Sequence, residues 1–326
     1  MIDNTKFVLP RAQRIPGIEM RRAYCGALIA EAERNPKITA IEVDVMHSMG
    51  TEEFAARFPD RSVNCGIQEA NAIGVAAGLS IRGYTPFFHA FGIFASRRVF
   101  DQVFLSCGYA QAPIKIIGGD AGITAAANGG THMPLEDIAL MRSVPGMTVI
   151  EPADEVSMKQ LVPQIARLEG NVYCRCTRKS AVSLYTEEAE LRIGEASLVR
   201  DGKDAVIIAS GLEVCEALEA AEVLDSQGMS VAVIDAFSIS PIDTEAIIQF
   251  AVKTGAVITA ENHRINGGIG SAVSEILGEA APTSICRIGV KADQYGEVGD
   301  VDFLKRKFKL TSANIAEAAQ RIISKE

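Results

Sequence analysis

At 326 residues the chain is long enough for two domains of ordinary size, and a hydrophobic fraction of 48% with 22% charged residues fits a compact soluble protein. Formal net charge is −9 and no run of Lys or Arg is long enough to track a phosphate backbone, which argues against a nucleic-acid partner. No apolar run approaches the roughly 20 residues needed to span a bilayer, and residues 1–16 mix charged with apolar side chains, so neither a membrane partner nor an export signal is expected and the expected location is cytoplasmic.

In chain order, the first half alternates amphipathic helical patterns with β-rich apolar runs. Helices are predicted over residues 19–34, 67–82, 96–109, 135–143 and 154–168, and strands over 38–43, 62–65, 85–90, 114–118, 147–151 and 172–177. Between 179 and 195 the pattern breaks into a charged stretch, Y-T-E-E-A-E-L-R, which reads as a linker. The alternation then restarts with a strand over 205–209, a helix over 214–227 stopped by Gly228, a strand over 230–236, a helix over 244–253 and a strand over 256–260. After the turn I-N-G-G-I-G come a helix from Ser271, a strand over 284–290 and a closing helix from about Ser312. The expectation is an α/β chain of two domains, residues 1–185 and 186–326, each a mostly parallel sheet covered by helices, the second smaller.

Seven scattered cysteines, an odd number, fit reduced thiols better than a disulfide framework. Cys174 and Cys176 flank Arg175 on one predicted strand; with no second pair nearby they read as small buried hydrophobes, and no metal ligand is assigned on this chain. There is no G-x-G-x-x-G and no P-loop, and the glycine turn at 266–270 reads as strand-to-helix packing.

The segment N-C-G-I-Q-E-A-N, residues 64–71, places Glu69 where a short strand ends and a helix begins. A glutamate in a first helical turn has a plain explanation, since it complements the helix dipole. The helix itself argues for more. Ala70, Gly74, Ala77 and Gly78 stand at i, i+4, i+7 and i+8, a face with almost no side-chain volume. Each glycine there costs about 1 kcal/mol relative to alanine, which suits a face that another helix approaches closely. Glu69 is then expected at an interface, partly desolvated and able to share a proton.

G-I-Q-E-A-N resembles the G-I-x-E-H-A signature of the transketolase family, and G-G-T-H-M-P-L-E-D resembles that family's D-G-P-T-H-Q-P-x-E. R-S-V-P-G-M-T-V-I-E-P-A-D is similar to its L-R-A-x-P-x-x-x-V-x-R-P-A-D, and the later E-N-H-x-x-x-G-G-I-G extends the likeness over nearly the whole chain. The resemblance implies thiamine diphosphate as cofactor, with Glu69 matching the glutamate that bonds the aminopyrimidine N1′ and so activates the thiazolium C2. Phe91 and Phe94 match the phenylalanines that stack on the pyrimidine, Arg97 stands where many members carry a third aromatic, and Asp44 matches an aspartate near the thiazolium. Arg21, Ser48, His132 and Arg178 match positions that hold a sugar phosphate; guanidinium forks suit a phosphate or a sulfonate, although each residue also suits a solvated surface.

Two departures bear on the donor. Asn128 replaces the acid of D-G-P-T-H, and the histidine of the family's T-H-D has no counterpart, Asp120 lying closest. Both positions touch donor hydroxyls in the family, so a variant sugar is expected. The family's magnesium-binding G-D-G is missing, which implies that Mg2+ and the diphosphate are held by a partner. The resemblance thus implies the C-terminal subunit of a split transketolase. Paired with an N-terminal subunit as α2β2, Glu69 helices near the twofold axis, it would move a two-carbon ketol unit from an anionic ketose to an aldose. The alternatives are the beta subunit of a 2-oxo acid dehydrogenase and a non-catalytic subunit retaining the fold; G-G-T-H-M-P followed by an acid, with the arginine set, favours the first reading.

Overall fold

The computed structural model describes residues 1–324 and contains two large sheets. Their central strands are runs such as Ala205–Ala209 (AVIIA), Val231–Asp235 and Lys115–Gly119, buried at every position. Strands apolar on both faces need cover on both sides, and the helices between them supply it. In the seven-stranded sheet the order is Ser238–Ser240, Met147–Ile150, Asn171–Cys176, Lys115–Gly119, Thr85–Phe91, Ile38–Glu42 and Ser62–Asn64. All of its pairings are parallel except that of Ser238–Ser240 with Met147–Ile150.

The six-stranded sheet has the order Ile2–Asp3, Ser197–Arg200, Val231–Asp235, Ala205–Ala209, Ala256–Arg264 and Ser284–Val290, with one antiparallel pairing, Ser197–Arg200 to Val231–Asp235. Two elements therefore cross the sequence division. Ile2–Asp3 lies in the second sheet, and Ser238–Ser240 forms an edge of the first. Both segments are two or three residues long, too short to carry a periodic signal.

Several predicted boundaries shift for visible reasons. The helix expected over 96–109 is observed as Gly92–Ser96, then Phe100–Val103 running into a wider π-type turn over Phe104–Tyr109. Between the pieces Arg97 and Arg98 are drawn apart, one to Glu136 and the other to Glu69. The stretch read as a linker is anchored: Ser180–Val182 pairs with Pro16–Glu19, the Tyr185 hydroxyl donates to Asp235 at 2.8 Å, and Gln164 donates to the Leu191 carbonyl at 2.7 Å. Cys174 and Cys176 are buried, and burial pushes the Cys176 thiol up to about 12.

A fully buried ionic seam joins the two halves. Arg175 bonds Asp137 at 2.8 and 3.0 Å, Glu151 at 2.7 Å, and the carbonyls of Pro134 and Asn262 at 2.6 and 2.8 Å. The other oxygen of Glu151 accepts from Ser210 at 2.6 Å. Close by, Glu213 is buried with neither carboxyl oxygen hydrogen-bonded among the described residues, and desolvation pushes it up to about 8. In the second half, Glu261 accepts from the Ile269 and Gly270 amides at 2.8 and 3.1 Å, capping the helix Ile269–Ala280. The glycine turn before that helix is strand-to-helix packing, with Gly268 and Gly270 lying tight against Glu261.

Candidate active site at the carboxyl edge of the first sheet

The candidate site residues Asp44, Glu69, Phe91, Asp120 and Arg178 collect at the carboxyl ends of parallel strands, where open α/β sheets place ligands. Asp44 follows Ile38–Glu42, Glu69 follows Ser62–Asn64, Phe91 ends its own strand, Asp120 follows Lys115–Gly119 and Arg178 follows Asn171–Cys176. Asp44 and Asp120 both take positive φ, 61° and 58°. Non-glycine residues hold that conformation only where neighbours over-determine it. For Asp44 the neighbour is Asn64, whose amide donates to the carboxylate at 2.6 Å while its carbonyl accepts from the Asp44 and Gly66 amides at 3.2 and 3.0 Å. One side chain thus ties the Asp44 loop to the turn that leads into Glu69.

Glu69 is the first residue of the helix Glu69–Ile81 and is buried. Arg98 donates to its Oε1 at 2.6 Å, and the same guanidinium lies 3.8 Å from the centre of the Phe94 ring. Phe91, Phe94 and His132 form an aromatic wall with ring centres 5.4 to 6.2 Å apart. The space between Glu69 and Phe94 already takes a flat, N–H-bearing group, bonded to the carboxylate and stacked on the ring. Those are the two contacts an aminopyrimidine requires, so the residues present fit that group. Arg97, at the position of the absent third aromatic, turns away to Glu136 at 3.0 Å.

The face of this helix that carries Ala70, Gly74 and Gly78 is exposed, and a side chain at either glycine would meet open space. Ile67 and Ile81 at its two ends are 68% and 74% exposed, and Leu105 and Tyr109 of the neighbouring turn are exposed beside it. Glu69 itself is buried within its own chain; the small-residue face beside it is the open part.

At the other end of the wall, Arg178 lies 5.2 Å over Phe91 and closes its fork on Asp120 through Nε at 2.8 Å and Nη2 at 2.5 Å. The pair borders a cavity of about 370 Å3 that Asn128, Lys179 and Asp300 also line. Arg21, not the exposed Arg22, turns toward Ser48, donating to the carbonyls of His47 and Ser48 at 2.9 and 3.2 Å and to Glu19 at 2.9 Å. The structure therefore brings together Phe91, Phe94 and His132, pairs Asp120 with Arg178, and keeps Arg21 with Ser48 as a separate group. Both arginines already hold a carboxylate. Sequence reasoning missed Arg98 and Asn64; the first was legible only as one of two adjacent arginines, the second as the residue that opens N-C-G-I-Q-E-A-N.

Residues 16–182 match the family model for the transketolase pyrimidine binding domain, and residues 194–315 match that for the transketolase C-terminal domain. The 6-deoxy-6-sulfo-D-fructose transketolase subunit of a Clostridium species is 46% identical over 94% of this chain and 95% of its own length. An apulose-4-phosphate transketolase subunit of Phocaeicola vulgatus is 35% identical over 84% and 88%. Among solved structures, a split gene transketolase in the form of an inactive beta4 tetramer superposes with a TM-score of 0.86 at 37% identity, over 94% of this chain and 99% of that one.

Proposed function

The chain belongs to the transketolase family of thiamine diphosphate enzymes, and from that membership we propose that it is the C-terminal subunit of a split transketolase. With an N-terminal subunit carrying the diphosphate-binding domain and its Mg2+, it transfers a two-carbon ketol unit from a ketose with a distal anion to an aldose. The observation that carries this reading is the buried Glu69 beside the Phe91, Phe94 and His132 wall, next to a helix face left open for another chain.

Each residue has a task in this reading. Thiamine diphosphate, when bound, supplies the acidic thiazolium C2–H from which the nucleophile is made. The Glu69 carboxyl holds a proton at the pyrimidine N1′, and burial keeps water from competing for it. Phe91 and Phe94 fix the ring plane and exclude solvent. His132, packed edge-on against both rings, joins the Asp120–Arg178 pair and the Arg21–Ser48 group in receiving the donor's anionic end. Because Asp120 already occupies the Arg178 fork, the added anion meets a nearly neutral pair, which suits a singly charged sulfonate better than a phosphate dianion. The relative named for 6-deoxy-6-sulfo-D-fructose makes that sugar the first donor to assay.

The decisive experiment is Glu69→Gln in the two-chain enzyme. Ketol transfer is expected to fall by at least about a hundredfold, with subunit association by size-exclusion chromatography unchanged. Near-normal turnover would overturn the proposal.

A further inference from the structure

We infer that Asn262, a residue of the second domain, is a positioning residue for the donor's anionic end. The inference rests on the proposed role of Asp120 and Arg178 and assigns the residue that sets them. Asp120 is followed by Ala121, Gly122 and Ile123, and the side chain of Asn262 docks on this segment as an extra peptide group would. Its carbonyl accepts from the Ile123 amide at 2.9 Å, and its amide donates to the Ala121 carbonyl at 3.1 Å. Gly122 between them has φ 53°, and a Cβ there would collide with the Asn262 side chain. Asn262 is buried and its own carbonyl accepts from Arg175 at 2.8 Å, so the clamp is fastened to the ionic seam.

The same loop is gripped again further on, where Gly130 packs on the backbone of Gly296 and Gly129 on the Val298 side chain. Asp120, with φ 58°, does not hold its conformation unaided. Asn262 supplies the acceptor for the Ile123 amide and a third donor for the Ala121 carbonyl, which also accepts from the Thr124 amide at 3.0 Å and the Thr124 hydroxyl at 2.7 Å. Removing it takes the acceptor from the buried Ile123 amide and leaves a gap where its side chain packs on Gly122, which shifts the loop and, with it, the Arg178 fork.

The test compares two donors in the two-chain enzyme: 6-deoxy-6-sulfo-D-fructose, and L-erythrulose, which has no distal anion. Asn262→Ala is expected to raise KM for the sulfonated donor about tenfold while KM for L-erythrulose and the cofactor Kd, read by fluorescence titration, stay within about twofold. Asn262→Asp keeps the acceptor for Ile123 but sets an oxygen against the Ala121 carbonyl. It should give the same split at smaller size, and it decides the matter if the alanine variant does not fold. Equal KM changes for both donors, or none for either, would overturn the inference while leaving Glu69 in its role. A wild-type enzyme that handles the two donors alike would instead remove the anion-end reading beneath it.

Discussion

The two ends of the candidate site are finished by different means. At the Glu69 end the helix face bearing Gly74 and Gly78 is bare, and Ile67, Ile81, Leu105 and Tyr109 stand exposed around it. At the Asp120 end every support is internal: Arg178 in the same domain, Asn262 in the other, and behind both the Arg175 seam. Under the proposed function, the Glu69 end is the cofactor end and awaits another chain, whereas the Asp120 end is the donor end and is completed by the chain's own second half. In this reading, the C-terminal domain of a split subunit does more than hold copies together.

The contrast can be broken or sharpened by substitution, from the largest expected effect downward. Arg175→Met leaves Asp137 and Glu151 buried without their cation and should destabilise the chain by about 3–5 kcal/mol in denaturant titration. A loss under about 1 kcal/mol would mean that the seam does not hold the halves. Glu213 is the next lever. Desolvation keeps its carboxyl protonated up to about 8 in the folded chain, while the unfolded chain releases that proton near 4.5. The folded state then binds more protons across this window, so wild-type stability falls as pH rises from 4.5 to 8. Glu213→Gln should therefore gain on the order of 2 kcal/mol at about pH 7.5 and nothing at about pH 4 in paired melts. Glu261, also pushed up to about 8, leaves part of the slope in the variant. An equal gain at both pH values would show that packing, not ionisation, is responsible.

On the open face, Gly78→Ala should stabilise the isolated chain by about 1 kcal/mol, and Gly78→Leu should also raise its melting temperature while blocking association in size-exclusion runs. A drop in stability with alanine would mean that this face is covered within the chain. Smallest of all is Arg97→Ala, which removes an exposed ion pair with Glu136 and should cost under about 0.5 kcal/mol without changing cofactor affinity. A weakened cofactor Kd would move Arg97 into the site and narrow the distinction drawn between it and Arg98.

Legibility in the sequence followed the range of the interaction. The α/β class, the long strands and the position of Glu69 at a strand-to-helix turn were readable because each is set by local period and by residues a few positions apart. The contact of Arg98 with Glu69 spans 29 residues, and that of Asn262 with Ile123 spans 139, so no local pattern announces either. Asn262 lies inside the quoted E-N-H stretch, yet nothing there distinguishes a clamp from a strand residue until the fold brings Gly122 against it. The helix Val301–Phe308 and the strand Ser197–Arg200 also escaped; the first follows the irregular stretch after Val290, and the second sits against the charged segment read as a linker. Burial separated Arg175 from the other arginines, and sequence carries burial only as an average over its neighbours.

Strand Ser238–Ser240 lies antiparallel along Met147–Ile150 and closes one edge of the first sheet. On a ribosome that edge strand is late. Once residue 185 has been made, every parallel strand of the sheet exists, yet the Met147–Ile150 edge has no partner until synthesis reaches residue 238. At about 5–20 residues per second that wait lasts roughly 3–10 s. A bare edge is a template for pairing with any other extended chain, so the nascent protein passes through an interval of exposure that the finished one never shows. A fragment cut at residue 185 would remain in that interval permanently.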